Sequence, residues 1–310
     1  MKESTLRLMK ENFPGIELRR NEPMKKHTTF RAGGTAAYYL VPSTIEELKD
    51  CLKLLKEQEE PYYLIGNGSN LLVSDSGYEG IVIQLMSQLN HITVTDLSIE
   101  AEAGALLSKI AKVALKHQLE GFEFAAGIPG TLGGAVVMNA GAYGGEMKQV
   151  IDSVKVMDEN LQIREISGAD MQFEYRTSLA KTKKYVVLSA KILLKKGDDV
   201  AIEEKMLDYK RQRTMKQPLD FPSAGSTFKR PEGHFAGKLI DEAGLRGFQI
   251  GGAQVSEKHC GFVINRNQAS ASDIYRVMMH VQKQVFDKTG IQLKPEVCML
   301  GEFKKEVEEV

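Results

Sequence analysis

The chain has 310 residues, 42% apolar and 26% charged, with 41 lysines and arginines against 41 aspartates and glutamates. That balance excludes a mostly disordered chain, and the length suggests about two domains with enough core to fold without a disulfide or metal staple. Zero formal net charge gives no electrostatic ground for a nucleic-acid partner, although a local basic pocket for a small anion remains open.

Three cysteines (Cys51, Cys260 and Cys298) are far apart and form no CxxC, so neither a disulfide framework nor a cysteine zinc site is expected. The opening MKESTLRLMKENF has no apolar run of a secretory signal, and the expectation is a reduced cytoplasmic protein. In chain order, residues 43–58 predict a helix. Ser43 with Glu46 and Thr44 with Glu47 each offer a capping box, and Ile45, Leu48, Leu52 and Leu55 make one apolar face. Residues 61–65 read as a strand running into Gly66-Asn67-Gly68-Ser69-Asn70, followed by the apolar run LLV. Residues 75–80 read as a turn and 81–85 as another strand. SIEAEAG from Ser98 alternates as a half-buried strand, and 106–118 returns to helical period.

Residues 124–145 carry no charge over 22 positions, long enough to span a bilayer. They also hold seven of the 28 glycines, with Pro129 and Asn139, which would leave backbone groups unsatisfied in lipid. They read as buried or ligand-facing loop backbone. Beyond them, VKVMD and LQIREI predict a hairpin about Glu159-Asn160, and 185–194 an apolar strand. Residues 201–216 form a charged helix that looks like a domain connector. A loop-rich stretch follows, then a helix over 271–289 and a charged, solvated tail from Glu302.

No GxGxxG, GxxxxGK[ST], HExxH or GxSxG is present, and the six histidines are scattered. A metal site, a P-loop hydrolase and a serine hydrolase are therefore not expected. Two glycine-rich segments stand out instead. One is 66–70. The other contains Gly127-Ile128-Pro129-Gly130-Thr131, Gly133-Gly134 and 139–145. Glycines let backbone approach a ligand, and successive N–H groups make an anion nest. Two such loops could clamp both ends of a pyrophosphate without a lysine; the alternative is two unrelated turns.

Seven ordered motifs over roughly residues 23–303 resemble the UDP-N-acetylenolpyruvoylglucosamine reductase family. They are HTTFRAGG, GNGSNLLV, AGIPGTLGGAVVMNAGAYG, EYRTS, PSAGSTFKRP, AGKLIDEAGLRG and LKPEVCMLGEF. The resemblance implies an α+β FAD-binding fold of the vanillyl-alcohol-oxidase type in two subdomains, with a C-terminal α+β substrate-binding domain. The boundaries expected are 1–84 (with 298–310 returning to it), 85–200 and 201–297. It implies non-covalent FAD held by Gly66, Asn67, Gly68, Ser69, Asn70, Leu71, Gly127, Ile128, Pro129, Gly130, Thr131, Gly133, Gly134, Asn139, Gly141 and Tyr143. Tyr143 is read as stacking on or hydrogen-bonding the flavin or substrate. GNGSN holds no His or Cys to tether a flavin.

The implied reaction uses NADPH as co-substrate to reduce the enolpyruvyl ether of a UDP-sugar, in peptidoglycan precursor synthesis. Arg176 would bind the substrate carboxylate, Ser226 would donate a proton and Glu296 would polarise the same end. Lys216, Lys229 and Arg230 are the basic candidates for the diphosphate, and His259 could line the pocket. No metal, nucleic-acid partner or membrane insertion is expected, and the protein is expected to be a monomer. Between Arg176 and the strand at Tyr185 lies only TSLAKTKK, so the chain resembles the shorter subclass without a tyrosine lid. The competing readings are an oxidase or dehydrogenase of the same fold and a non-catalytic UDP-sugar-binding module.

Overall fold

The computed structural model describes residues 1–303. Its helices are α1 (Glu3–Asn12), α2 (Ile45–Glu57), α3 (Leu107–Lys116), α4 (Leu132–Val137), α5 (Leu179–Thr182), α6 (Asp199–Lys216), α7 (Ala236–Glu242) and α8 (Ala271–Thr289). The chain divides into two compact units. The first comprises Met1–Arg19, Tyr39–Asn67 and Ile81–Arg213. The second comprises Arg20–Tyr38, Gly68–Gly80 and the rest of the chain from Thr214. Among the described residues no helix is long and apolar enough to cross a membrane.

The first unit holds an antiparallel sheet of five strands in the order Ile163–Ser167, Ile151–Met157, Val186–Leu193, Ser98–Glu102 and Ile92–Thr95. The alternation read from Ser98 has its expected effect, with Ile99 and Ala101 buried and Glu100 exposed. Beside it, Tyr62–Ile65 pairs in parallel with residues 81–84. Helix α2 starts as its sequence dictates. Thr44 Oγ1 accepts the Glu47 N–H at 3.0 Å, and the Glu47 carboxylate returns to the Ser43 N–H at 2.5 Å. The cap is Thr44, with Glu47 returning to the Ser43 N–H in place of the Thr44 N–H; Ser43 and Glu46 do not form the other predicted box. Leu48, Leu52 and Leu55 are buried.

The second unit packs α7 and α8 with the strands Gln249–Ile250, Ala253–Val255 and Val263–Asn265 around one core. That core also takes in Phe30, Ala32 and Leu72 from distant parts of the sequence. Helix α8 spans the predicted range, capped by the reciprocal Ser270 and Asp273 box. The Asp75 carboxylate accepts from the Ala271 and Ser272 N–H groups, each at 2.8 Å. Cys298–Leu300 returns to pair in parallel with Leu71–Val73. The expected solvated tail falls mainly on 304–310, outside the described residues.

Three local expectations are corrected. The uncharged stretch 124–145 is not all loop: it contains α4 and a two-strand hairpin. Gly133 sits inside α4 because a Cβ there would meet the Ala103 Cβ at 2.9 Å, so close packing outweighs helix propensity. The 151–167 hairpin does not turn on Glu159-Asn160 alone. Asp158 accepts from the Asn160 and Gln162 N–H groups, both at 2.9 Å, and makes a longer loop with Leu161 left-handed at φ 60°. The residues read as a turn over 75–80 already belong to a strand from Tyr78.

Candidate active site

The two glycine-rich segments meet within the first unit. Asn67 Nδ2 donates to the Pro129 carbonyl at 2.8 Å, and a Cβ on Gly66 would lie 2.0 Å from Thr131 Oγ1. Only glycine permits that approach. The chain passes into the second unit at Gly68, whose φ is +58° and whose carbonyl accepts the Thr29 N–H at 3.3 Å. Among the described residues, the N–H groups of Asn67, Gly68, Ser69, Asn70, Gly130 and Thr131 donate to no backbone group of their own units. Among the described residues the buried Thr29 hydroxyl has no hydrogen-bond partner. Within the first unit, the loop N–H groups of Asn67, Gly130 and Thr131 are of the kind that suits anionic oxygens, such as those of a diphosphate.

The other loop residues divide between exposed backbone and internal structure. Gly134 is exposed, whereas the Ile128 and Gly133 N–H groups are spent on the carbonyls of Ala125 (3.0 Å) and Ala103 (2.8 Å). Leu71 is buried and starts the strand paired with Cys298. Gly141 lies in the hairpin closed by Tyr143 (φ 54°) and Gly144 (φ 82°), a two-residue turn that needs left-handed backbone at both centres. Tyr143 stacks on Tyr209 with ring centroids 4.4 Å apart, so one of its faces is already covered. Asn139 is 1% exposed, and its amide is committed to Glu146, Glu174 and Lys148 inside the protein.

Two contributors were not singled out in the sequence. Arg213 of α6 donates to the Gly127 carbonyl, and Thr29 lies in HTTFRAGG, a motif whose residues received no role. Only the order of motifs pointed to Thr29, and a surface-like Arg in a charged helix carried no signal.

Arg176 sits at the tip of a tight turn. Glu174 and Thr177 exchange N–H···O bonds, both 3.2 Å, and Arg176 between them is left-handed at φ 58°. For a residue with a Cβ that conformation costs on the order of 1 kcal/mol, so the surroundings must hold it. The guanidinium carbon lies 5.1 Å from the Tyr175 ring centroid.

The segments that carry Ser226 and Glu296, 70 positions apart in sequence, pair within the second unit. The Glu296 N–H donates to the Thr227 carbonyl at 2.9 Å, and Phe228 pairs with Pro295. Asn70 Nδ2 donates to the Glu296 carbonyl at 3.1 Å, tying the end of the first glycine loop to the same segment. Ser226 is exposed and Glu296 half-buried. Of the basic candidates, Lys229 lies on the Ser226 segment, its N–H on the Lys294 carbonyl at 2.9 Å. Arg230 lies over the exposed Phe235 ring at 4.7 Å, and Lys216 ends α6 in solvent. His259 is engaged internally. Its Nδ1 accepts the Gly261 N–H at 3.1 Å, and burial holds its pKa below the usual histidine range. Burial thus favours its neutral form. Among the described residues no group of three or more His, Cys, Asp or Glu could hold a metal ion.

Residues 217–300 match the family model described as the C-terminal domain of UDP-N-acetylenolpyruvoylglucosamine reductase, and residues 36–167 match an FAD binding domain. A UDP-N-acetylenolpyruvoylglucosamine reductase from Caldanaerobacter subterraneus subsp. tengcongensis is 51% identical over 294 residues, covering 95% of this chain and 97% of its own. One from Clostridioides difficile is 51% identical over 286 residues, 92% of this chain and 94% of its own. The chain belongs to the UDP-N-acetylenolpyruvoylglucosamine reductase family. The crystal structure of UDP-N-acetylenolpyruvylglucosamine reductase from Thermus caldophilus matches with a TM-score of 0.78 at 34% identity, over 92% of this chain and 99% of that one. Family membership and the FAD binding domain make the protein an α+β flavoprotein oxidoreductase.

Proposed function

We propose that the protein reduces UDP-N-acetyl-3-O-(1-carboxyvinyl)glucosamine to UDP-N-acetylmuramate with NADPH, as a cytoplasmic monomer supplying peptidoglycan precursor. Its FAD would lie in the parts spanning 1–84 and 85–200, and its substrate against 201–297. The observation that supports this reading is the pairing of the segment holding Ser226 with the segment holding Glu296, through Thr227 and Phe228, in a chain whose relatives bear the reductase name.

The reduction adds a hydride to the terminal vinyl carbon and a proton to its neighbour, so the C=C bond becomes CH–CH3. When bound, FAD would supply the hydride, drawn from NADPH. The protein's residues do the rest. Arg176 holds the substrate carboxylate in its planar fork and stabilises the enolate charge that spreads into it. Ser226 delivers the proton to the carbon that carries the enolate density. A hydroxyl is a weak acid, but an enolate carbon is a strong base, so the transfer needs alignment above all. Glu296 polarises the same end of the substrate. The loop N–H groups of Asn67, Gly130 and Thr131 would hold the FAD diphosphate.

The test is a two-step experiment on the anaerobic holoenzyme carrying Ser226→Ala. NADPH should still bleach the flavin absorbance. Its recovery on adding the enolpyruvyl UDP-sugar should slow by about 10²–10⁴-fold, the range of a lost general acid. Recovery at the native rate would remove Ser226 from the mechanism. A native flavin that recovers only with oxygen would replace the reductase reading with an oxidase of the same fold.

A further inference from the structure

The turn that presents Arg176 is pinned to the C-terminal end of α4, the helix that begins directly after the second glycine loop. Three tethers do this, each from a different residue. The buried Ser178 hydroxyl donates to the Val137 carbonyl at 3.0 Å. The Asn139 amide donates to the Glu174 carbonyl at 3.2 Å, an oxygen that also accepts the Thr177 N–H closing the turn. Lys181 Nζ donates to the carbonyl of Arg176 itself at 3.0 Å and lies 3.3 Å from Met138 Sδ. Asn139 is in turn held by Glu146 at 2.6 Å and by the Lys148 N–H at 3.0 Å, and is itself left-handed at φ 39°.

A left-handed arginine at a turn tip keeps its conformation only when its surroundings leave no alternative. Here those surroundings are polar groups that engage the Glu174 carbonyl before the arginine and the arginine's own carbonyl, while Ser178 after it holds the Val137 carbonyl of α4. From this geometry we infer that Ser178 and Lys181, with Asn139, are positioning residues for Arg176. They set the direction from which its guanidinium meets the substrate carboxylate, and they tie that direction to the loop assigned to FAD. The inference rests on the role given to Arg176 above. Neither Ser178 nor Lys181 touches the reacting atoms; both act through the arginine.

A coupling experiment distinguishes positioning from general support. Ser178→Ala and Lys181→Met are each made in the native holoenzyme and in an Arg176→Ala background. The Kd for the enolpyruvyl UDP-sugar is read from its perturbation of the oxidised flavin spectrum. In the native background each substitution should weaken binding about tenfold and slow substrate-driven flavin recovery by about 10–100-fold, the scale of a group misplaced by up to 1 Å. Bleaching by NADPH should stay within about twofold of native, and Lys181→Arg should restore most of the loss. In the Arg176→Ala background neither substitution should cost more, because the group they position is gone. Equal losses in both backgrounds, or none in the native one, would overturn the inference. Lys181 is only half-buried, so its variants keep the test readable if Ser178→Ala folds poorly. A separate failure is visible in the same data. If Arg176→Ala by itself leaves binding and recovery at native values, the proposed role of Arg176 is wrong, whatever its neighbours do.

Discussion

Gly68 shows how much one position can decide. Its φ is +58°, and a Cβ there would lie 1.9 Å from the His27 carbonyl oxygen, a backbone atom that cannot step aside cheaply. Gly68→Ala should therefore destabilise the protein by roughly 1–3 kcal/mol. Gly15→Ala, with nothing within 4 Å of the added carbon, should stay within about 0.5 kcal/mol of native. Thermal melts of the two variants check this, and coincident melts would refute the close-contact argument. The buried thiols follow the same logic of environment. Burial pushes Cys51 up to about 12 and Cys260 up to about 11, so both behave as small apolar groups. At this scale the sequence is least informative. Arg176, Ser226 and Glu296 are individually ordinary residues, and only their motifs distinguish them. That Asn139 turns inward, and that His259 spends its Nδ1 on Gly261, could not be read from the residue types.

Elements whose signals are local were readable. Helix α8 carries its own start in Ser270 and Asp273 and its own stop in Gly290, left-handed at φ 70°. Helix α2 carries its cap in residues 43–47. Helix α4 has no such signal. Its glycines argue against a helix, and packing on Ala103 makes one. Even α8 has a partner its own sequence does not name, since Asp75 accepts two of its first N–H groups. Asp75→Ala should cost about 1–2 kcal/mol, the value of a good cap combined with a charge at a helix N-terminus, and Asp75→Asn should recover part of it. Denaturant midpoints measure both. An Asp75→Ala protein as stable as native would mean that the Ser270 box alone satisfies the helix end.

At the scale of the whole molecule, the second unit is built from three separated stretches of chain. Phe30 is fully buried in its core, and Asn265 Nδ2 donates to the Phe30 carbonyl at 2.9 Å. Cys298–Leu300 pairs with Leu71–Val73. The stretch that matches the family's C-terminal domain, 217–300, therefore lacks part of its own core. A fragment of residues 214–303 should show no cooperative thermal transition by circular dichroism under conditions where the full chain melts sharply. A sharp transition of the fragment would show that residues 20–38 and 68–80 are dispensable to its core.

The sequence alone determined the helices with local caps, the alternating strands, the glycine loops and, through seven ordered motifs, the family. Each of these depends on neighbours within a few residues or on order along the chain. The tertiary structure decided which loops touch, that the Ser226 and Glu296 segments pair, that α4 forms through glycines, and that Lys181 binds the Arg176 carbonyl while Ser178 binds that of Val137. These depend on contacts between residues up to more than 200 positions apart. They are fixed by packing, by the pairing of buried donors with acceptors, and by the space that only a missing Cβ leaves open.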